Sequence, residues 1–268
     1  MSYQLSNEEQ VKGEGLLMLY GVRQWLVECV ILFRIQFSMI REQWIWVFIL
    51  ASLFPFSTLL FLKFFTVNPT DEMMIQIISG NMIFSIILTG FNMVAQELSW
   101  QKHLGHFTFY ASLPIAKINF VLANLLRGLL STMPSIIILA IIGQLVYGVQ
   151  LQYSWGIIPV FFLSIFSIVG FGVFIGFWSP NPQLGNMLVQ GLWIFLSFLT
   201  PVLMPIEQLP EVLQWISYIF PTTYIAEAFR TIFISGWDLS VSINLVILFG
   251  YSIFSFLLIM KKMDWRVN

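Results

Sequence analysis

Six stretches of this chain are apolar over about the length of a membrane span: Trp44–Phe65, Met73–Gln96, Phe120–Tyr147, Trp155–Trp178, Leu184–Pro205 and Leu239–Met260. A hydrocarbon core about 30 Å thick takes roughly 20 apolar residues of α-helix. Aromatic residues stand at many of the ends, among them Trp44, Tyr147, Trp155, Trp178 and Trp237, where amphipathic rings settle at the headgroups. The composition agrees. Charged residues make up 9% of the chain, against about 25% in soluble proteins, and the mean hydropathy is +0.86. The expected fold class is an all-α polytopic membrane protein with six transmembrane helices.

Several other readings narrow at once. A net charge of -1 gives no basic surface for nucleic acid, and the single cysteine, Cys29, has no partner for an internal disulfide. The first 15 residues, "MSYQLSNEEQVKGEG", are polar and lack the basic start and apolar core of a cleavable signal peptide. The first apolar span is therefore expected to remain and to act as its own insertion signal.

Lysine and arginine set the orientation. Lys12, Arg23, Arg34, Arg41, Lys102, Lys117, Lys261, Lys262 and Arg266 fall on one side of a six-span chain, and only Lys63 and Arg230 on the other. Both termini are expected in the cytoplasm. Arg127 lies inside the third span, near enough to its cytoplasmic end to be expected to snorkel to the headgroups. Residues 1–43 then form a cytoplasmic tail and an amphipathic interface helix, on which Arg23, Arg34 and Arg41 fall within about 20° of one another at 100° per residue. Residues 44–268 form the transmembrane domain.

Between spans five and six the chain reads "LPEVLQWISYIFPTTYIAEAFR", about as long as a span and mostly apolar. It contains Glu211, Glu227 and Arg230, follows Glu207, and carries Pro210 and Pro221. Each charge would cost about 3 kcal/mol at mid-membrane, and the prolines interrupt a continuous helix. The pattern predicts two short helices broken at Pro221, a re-entrant hairpin within residues 207–238 on the outer face. Glu227 and Arg230, three apart, share a helical face and are placed to pair. An interfacial loop without special role is the plainer alternative.

Gln96–Lys117 is the one sizeable cytoplasmic loop. It combines Glu97, Lys102, His103 and His106 with Leu104, Phe107, Phe109 and Tyr110, with a break at Gly105 and an end at Pro114. His103 and His106 lack the further ligands a metal site needs, so the loop reads as a docking helix for a soluble protein. Within the spans, Asn81, Ser85, Thr89, Asn92 and Gln96 lie within about 80° on one face of span two; Asn186, Gln190, Trp193, Ser197 and Thr200 do the same on span five. Polar side chains in lipid face the bundle interior or a cavity. Each alone reads as an interhelical hydrogen bond; two coherent stripes read as candidates for a path. Gly172 and Gly176 in span four permit a close helix contact, within the subunit or between subunits. The chain has no G-x-x-x-x-G-K-[ST] and no H-E-x-x-H, so no enzyme, bound cofactor or catalytic residue is expected.

The whole pattern resembles the permease subunit of a type-2 ABC exporter. The most specific match is "MPIEQLPEVLQWISYIFPTTYIAEAFR", similar to that family's signature of a Leu-Pro pair, an apolar helix and P-x-x-Y-x-x-E-x-x-R. Pro205, Leu209, Pro210, Pro221, Tyr224, Glu227 and Arg230 occupy those positions. The loop resembles the family's coupling segment at Gly105, Ser112 and Pro114, and departs from it at His106, Thr108 and Phe109. The resemblance implies a second permease, most simply a homodimer, and two copies of a separate ATPase that hold ATP and Mg²⁺. It also implies a plasma-membrane location (the inner membrane of a bacterium), docking through residues 96–117, and a path lined by spans two and five. An amphipathic or hydrophobic substrate such as a drug, antibiotic or lipid is the first reading. A polysaccharide or lipid-linked glycan, and a non-transporting role in membrane assembly, remain open.

Overall fold

The computed structural model describes residues 24–38, scattered positions between 41 and 64, and residues 70–263 apart from Pro114, Tyr153, Leu203 and the side chain of Val146. Among the described residues every regular element is a helix. α1 covers residues 24–38, and the described positions from 41 to 64 are helical too. The remaining positions of the expected span Trp44–Phe65, the polar tail and Arg23 lie outside the described residues. There follow α2 (Asp71–His103), α3 (His106–Ser112), α4 (Lys117–Tyr147), α5 (Ile157–Trp178), α6 (Pro182–Phe198), α7 (Glu211–Ser217), α8 (Pro221–Ile234) and α9 (Leu239–Lys262). Among the described residues four helices, α2, α4, α5 and α9, are long and apolar enough to cross a membrane.

The starts of these helices are written locally. Thr70 caps α2 by accepting from the Met73 amide, with Asp71 and Glu72 in the first turn. Asn181 caps α6 by accepting from the Leu184 amide at 2.8 Å, with Pro182 behind it. Asp238 accepts from Leu239 at 2.6 Å ahead of α9. Side-chain acceptors and acidic first turns satisfy the free N–H groups there. Two boundaries differ most from expectation. α2 runs past Gln96 to His103, and α6 stops at Phe198 rather than Pro205. Pro201 and Pro205 have no amide to donate, and each biases its predecessor away from helix.

α5 is the centre of the bundle and lies against α2, α4, α8 and α9. A β-carbon on Gly172 would come within 2.7 Å of the Phe91 carbonyl oxygen, and one on Gly176 within 2.9 Å of the Ala95 carbonyl oxygen. The small-residue face of span four therefore meets α2 of the same chain. At that contact α2 is not an ordinary α-helix: Ile86–Met93 is wound as a π-helix, a form found mostly at functional sites or under local constraint.

The two ends of the bundle differ. At one end Lys102, Lys117, Lys261 and Lys262 gather around α3 and the ends of α5 and α9. At the other lie Asp71, Glu72, Glu207, Glu211 and Asp238, beside α7 and α8. α6 joins the ends: its start sits on Ser99 and Ser179, and its exit is held by Arg230.

Candidate functional site

Three regions carry the polar chemistry: the α3 end, the α7–α8 end, and the interior between them. At the α3 end, Gly105 takes a left-handed conformation (φ 76°) that turns the chain from α2 into α3. Phe107 and Tyr110 point inward, Phe107 against Phe120 and Phe177 and Tyr110 against Phe120. Phe109 and Leu104 point outward, 61% and 63% exposed, near exposed Trp100, His103 and His106. The aromatic pair expected to dock a partner is thus divided: Phe107 anchors the helix, and Phe109 is offered to the outside. Pro114 lies outside the described residues.

The two charged candidates of this loop turn toward the protein. Lys102 donates to the Phe177 and Ser179 carbonyls, both at 2.9 Å, and so closes the C-terminus of α5. Glu97 pairs with Arg127 of α4. This corrects the expectation that Arg127 snorkels to the headgroups. Its guanidinium is buried, ion-paired to Glu97, and donates to Gln36 Oε1 of α1 at 2.9 Å. A carboxylate and an amide within reach satisfy a guanidinium without stretching the side chain to water. α1 is fastened a second time at Glu28, which accepts from Asn119 Nδ2 at 3.0 Å and from the Ala116 amide at 3.4 Å at the start of α4.

In the interior, Asn81, Ser85, Thr89 and Asn92 are buried. Asn81 donates to the Ile77 carbonyl at 2.8 Å, Thr89 to the Ser85 carbonyl at 2.7 Å, and Gln96 to Asn92. On α6, Ser197 is buried, Asn186 and Trp193 half-buried and Gln190 exposed; Thr200, just past its end, is buried. The Trp193 ring meets Phe84 edge-on at 5.6 Å, so the stripes of α2 and α6 approach each other there. The hydroxyls of Ser85 and Ser197 and the Asn186 Oδ1 are buried without a hydrogen-bond partner among the described residues.

At the opposite end, Pro210 caps α7 and Pro221 opens α8. The turn between them exposes carbonyls that no helix satisfies, and three side-chain hydroxyls take them up. Thr223 donates to Ser217 at 2.5 Å, Tyr224 to Tyr218 at 3.0 Å, and Tyr251 of α9 to Ile219 at 2.7 Å. Arg230 does not pair with Glu227. Its Nη2 donates to the Pro201, Val202 and Met204 carbonyls at 2.6, 3.1 and 3.4 Å; among the described residues the ion pair is Arg127–Glu97. The carbonyls released where α6 stops are close acceptors for Arg230, while Glu227 lies beside Asn244 of α9. Tyr251 was not legible as a site residue; its only signal is a hydroxyl amid the apolar run of the last span.

Four helices of membrane length, with the polar residues of α2 buried among them, define an all-α membrane protein. The chain belongs to the ABC-2 family transporter proteins, whose family model matches residues 65–261. It is accordingly the membrane permease of an ABC transporter, and permeases of this family work with a separate ATPase subunit. No curated protein matches it in sequence.

Proposed function

We propose that the chain is the permease of an exporter that moves an amphipathic or hydrophobic molecule outward across the plasma membrane, two copies acting with two ATPase subunits that hold ATP and Mg²⁺. The observation that carries this reading is the family match over residues 65–261, which takes in both the α3 segment and the α7–α8 hairpin. In this reading six spans cross the membrane, with α6 and the segment around residues 44–65 added to the four long helices. The lysine-rich α3 end faces the cytoplasm, as the basic bias of cytoplasmic loops supports, and both termini lie on that side. α1, with Arg34 and a row of apolar residues exposed, lies along the cytoplasmic headgroups. The hairpin of α7 and α8 dips into the outer leaflet; the hydroxyl caps on its turn supply what such depth requires, since irregular backbone in a membrane must be satisfied by protein.

The path runs along the facing stripes of α2 and α6. The unpartnered hydroxyls of Ser85 and Ser197 support this, because buried polar groups retain hydrogen-bonding capacity for a passing ligand. The exposed surface formed by Leu104, in the turn after α2, and Phe109 of α3 is the ATPase contact, with Glu97, Lys102 and Phe107 holding it in place from within.

The test is coexpression with the ABC ATPase encoded beside the gene, followed by reconstitution. The complex should copurify, and the permease should raise ATP hydrolysis, further so with a transported amphipathic compound. Leu104→Asp with Phe109→Asp should dissociate the complex while the permease itself remains folded. Intact copurification and normal coupling in that variant would remove α3 as the contact.

A further inference from the structure

A cavity of about 420 Å³ lies beneath the turn of the hairpin. Its walls come from five elements: Phe91 of α2, Phe171 of α5, Leu192 of α6, Phe220 at the turn, and Tyr251 and Phe254 of α9. The single polar atom that a side chain brings to this lining, the Tyr251 hydroxyl, is already engaged with the Ile219 carbonyl at 2.7 Å. A polar ligand would find no partner there, and burying one without a partner is costly. A cavity of about 150 Å³ holds a six-carbon ring, so this one has room for roughly 15 carbons.

An apolar groove adjoins this cavity across Tyr251 and Phe254. Tyr251 and Phe254 line, together with Ile247 and Gly250, a shallow apolar groove on the outer side of α9. A β-carbon at Gly250 would meet no atom within 4 Å, so the missing side chain leaves the groove open. The groove runs onto a face of α9 that exposes Val246, Phe249, Ile253 and Leu257. In a transmembrane helix such a face touches lipid tails.

We propose that this cavity holds one acyl chain of a bilayer phospholipid, which enters sideways past Gly250. Volume, lining and adjoining groove fit a single hydrocarbon chain whose headgroup stays outside. The chain seats under Phe220 and Pro221, and so props the turn of the hairpin from below. This goes beyond the export reading and does not rest on it: it requires only that α9 lie in a bilayer.

The experiment uses the full chain in nanodiscs of phosphatidylethanolamine and phosphatidylglycerol, doped with a phosphatidylethanolamine bearing a diazirine in its acyl chain. After illumination, labelled residues are mapped by mass spectrometry. In the natural chain, label should fall on Phe171 and Leu192, which are reached through the cavity, as well as on the outer face of α9. Leu192→Trp fills the cavity and Gly250→Leu fills the groove. Each should abolish label at α5 and at α6 while leaving it at Val246 and Leu257. At Gly250 an added β-carbon meets no atom within 4 Å, so Gly250→Leu carries the test should the tryptophan variant fail to fold. The proposal is overturned if label at Phe171 survives both variants or if the natural chain labels only along the outer face of α9. Absence of label from α9 altogether, as when a second copy covers it, would overturn it equally.

Discussion

Arg127 is held between a carboxylate and an amide, whereas Arg230 is held by carbonyl oxygens alone. The difference decides what their loss would do. At Arg127 the partners are unequal in exposure: the Arg127 side chain is 8% exposed and that of Glu97 35%. Glu97→Ala would strand a buried guanidinium beside Gln36 alone, and stranding a buried charge costs about 3–5 kcal/mol. Arg127→Met leaves a carboxylate that can still reach water, so its cost should be smaller. The double variant should be more stable than Glu97→Ala alone, a non-additivity that thermal unfolding in nanodiscs would detect. An additive cycle would mean that the pair does not couple. Neither arginine's partner was legible in the sequence. Glu227 stands three residues before Arg230 and is the obvious local choice, but the acceptors that win belong to a chain segment that comes close only in the fold. Arg127 and Glu97 sit on different spans at similar depth, which is a pairing signal only once the antiparallel course of α2 and α4 is known.

Helix existence was legible for four of the expected spans from apolar length alone, whereas the local caps Thr70, Asn181 and Asp238, which set the starts, went unread. The winding of α2 was not legible. A polar stripe computed at a uniform turn per residue treats Asn81 and Asn92 as neighbours in angle, yet the π segment Ile86–Met93 between them turns less per residue. That stretch meets Gly172 of α5 at Phe91, a contact that no local sequence signal announces. Gly172→Ala would press a methyl into the Phe91 carbonyl, and such overpacking costs about 1–3 kcal/mol. Gly191→Ala on α6, where a β-carbon meets no atom within 4 Å, should instead be neutral or stabilising by up to about 1 kcal/mol. Comparing the two melting temperatures separates loss of a close contact from the general effect of replacing glycine. Equal shifts would show that the α2–α5 contact is looser than described.

At the scale of the molecule, among the described residues, lysines lie around α3 and carboxylates around α7 and α8; the lysine bias could be counted in the sequence, whereas the matching carboxylates were not read there. Cysteines placed at the exposed positions Glu207 and Asp238, in a chain with Cys29 replaced, should both react with an impermeant thiol reagent added outside cells. Reaction of either one only from the cytoplasm would mean that the α7–α8 segment crosses the membrane. The hydrogen bond from Lys117 to the Met263 carbonyl, joining residues 146 apart in sequence, has a consequence for biosynthesis. The ribosome delivers Lys117 long before Met263, so the end of the bundle around α3 cannot be closed until α9 has been made. A nascent chain stalled before α9 should expose α3 without its final support, and should fail to capture the ATPase in a pull-down that the released chain passes. Translation order would then act as a timetable, withholding the motor until α9 of the permease is in place; capture by the stalled chain would show that the end around α3 matures without α9.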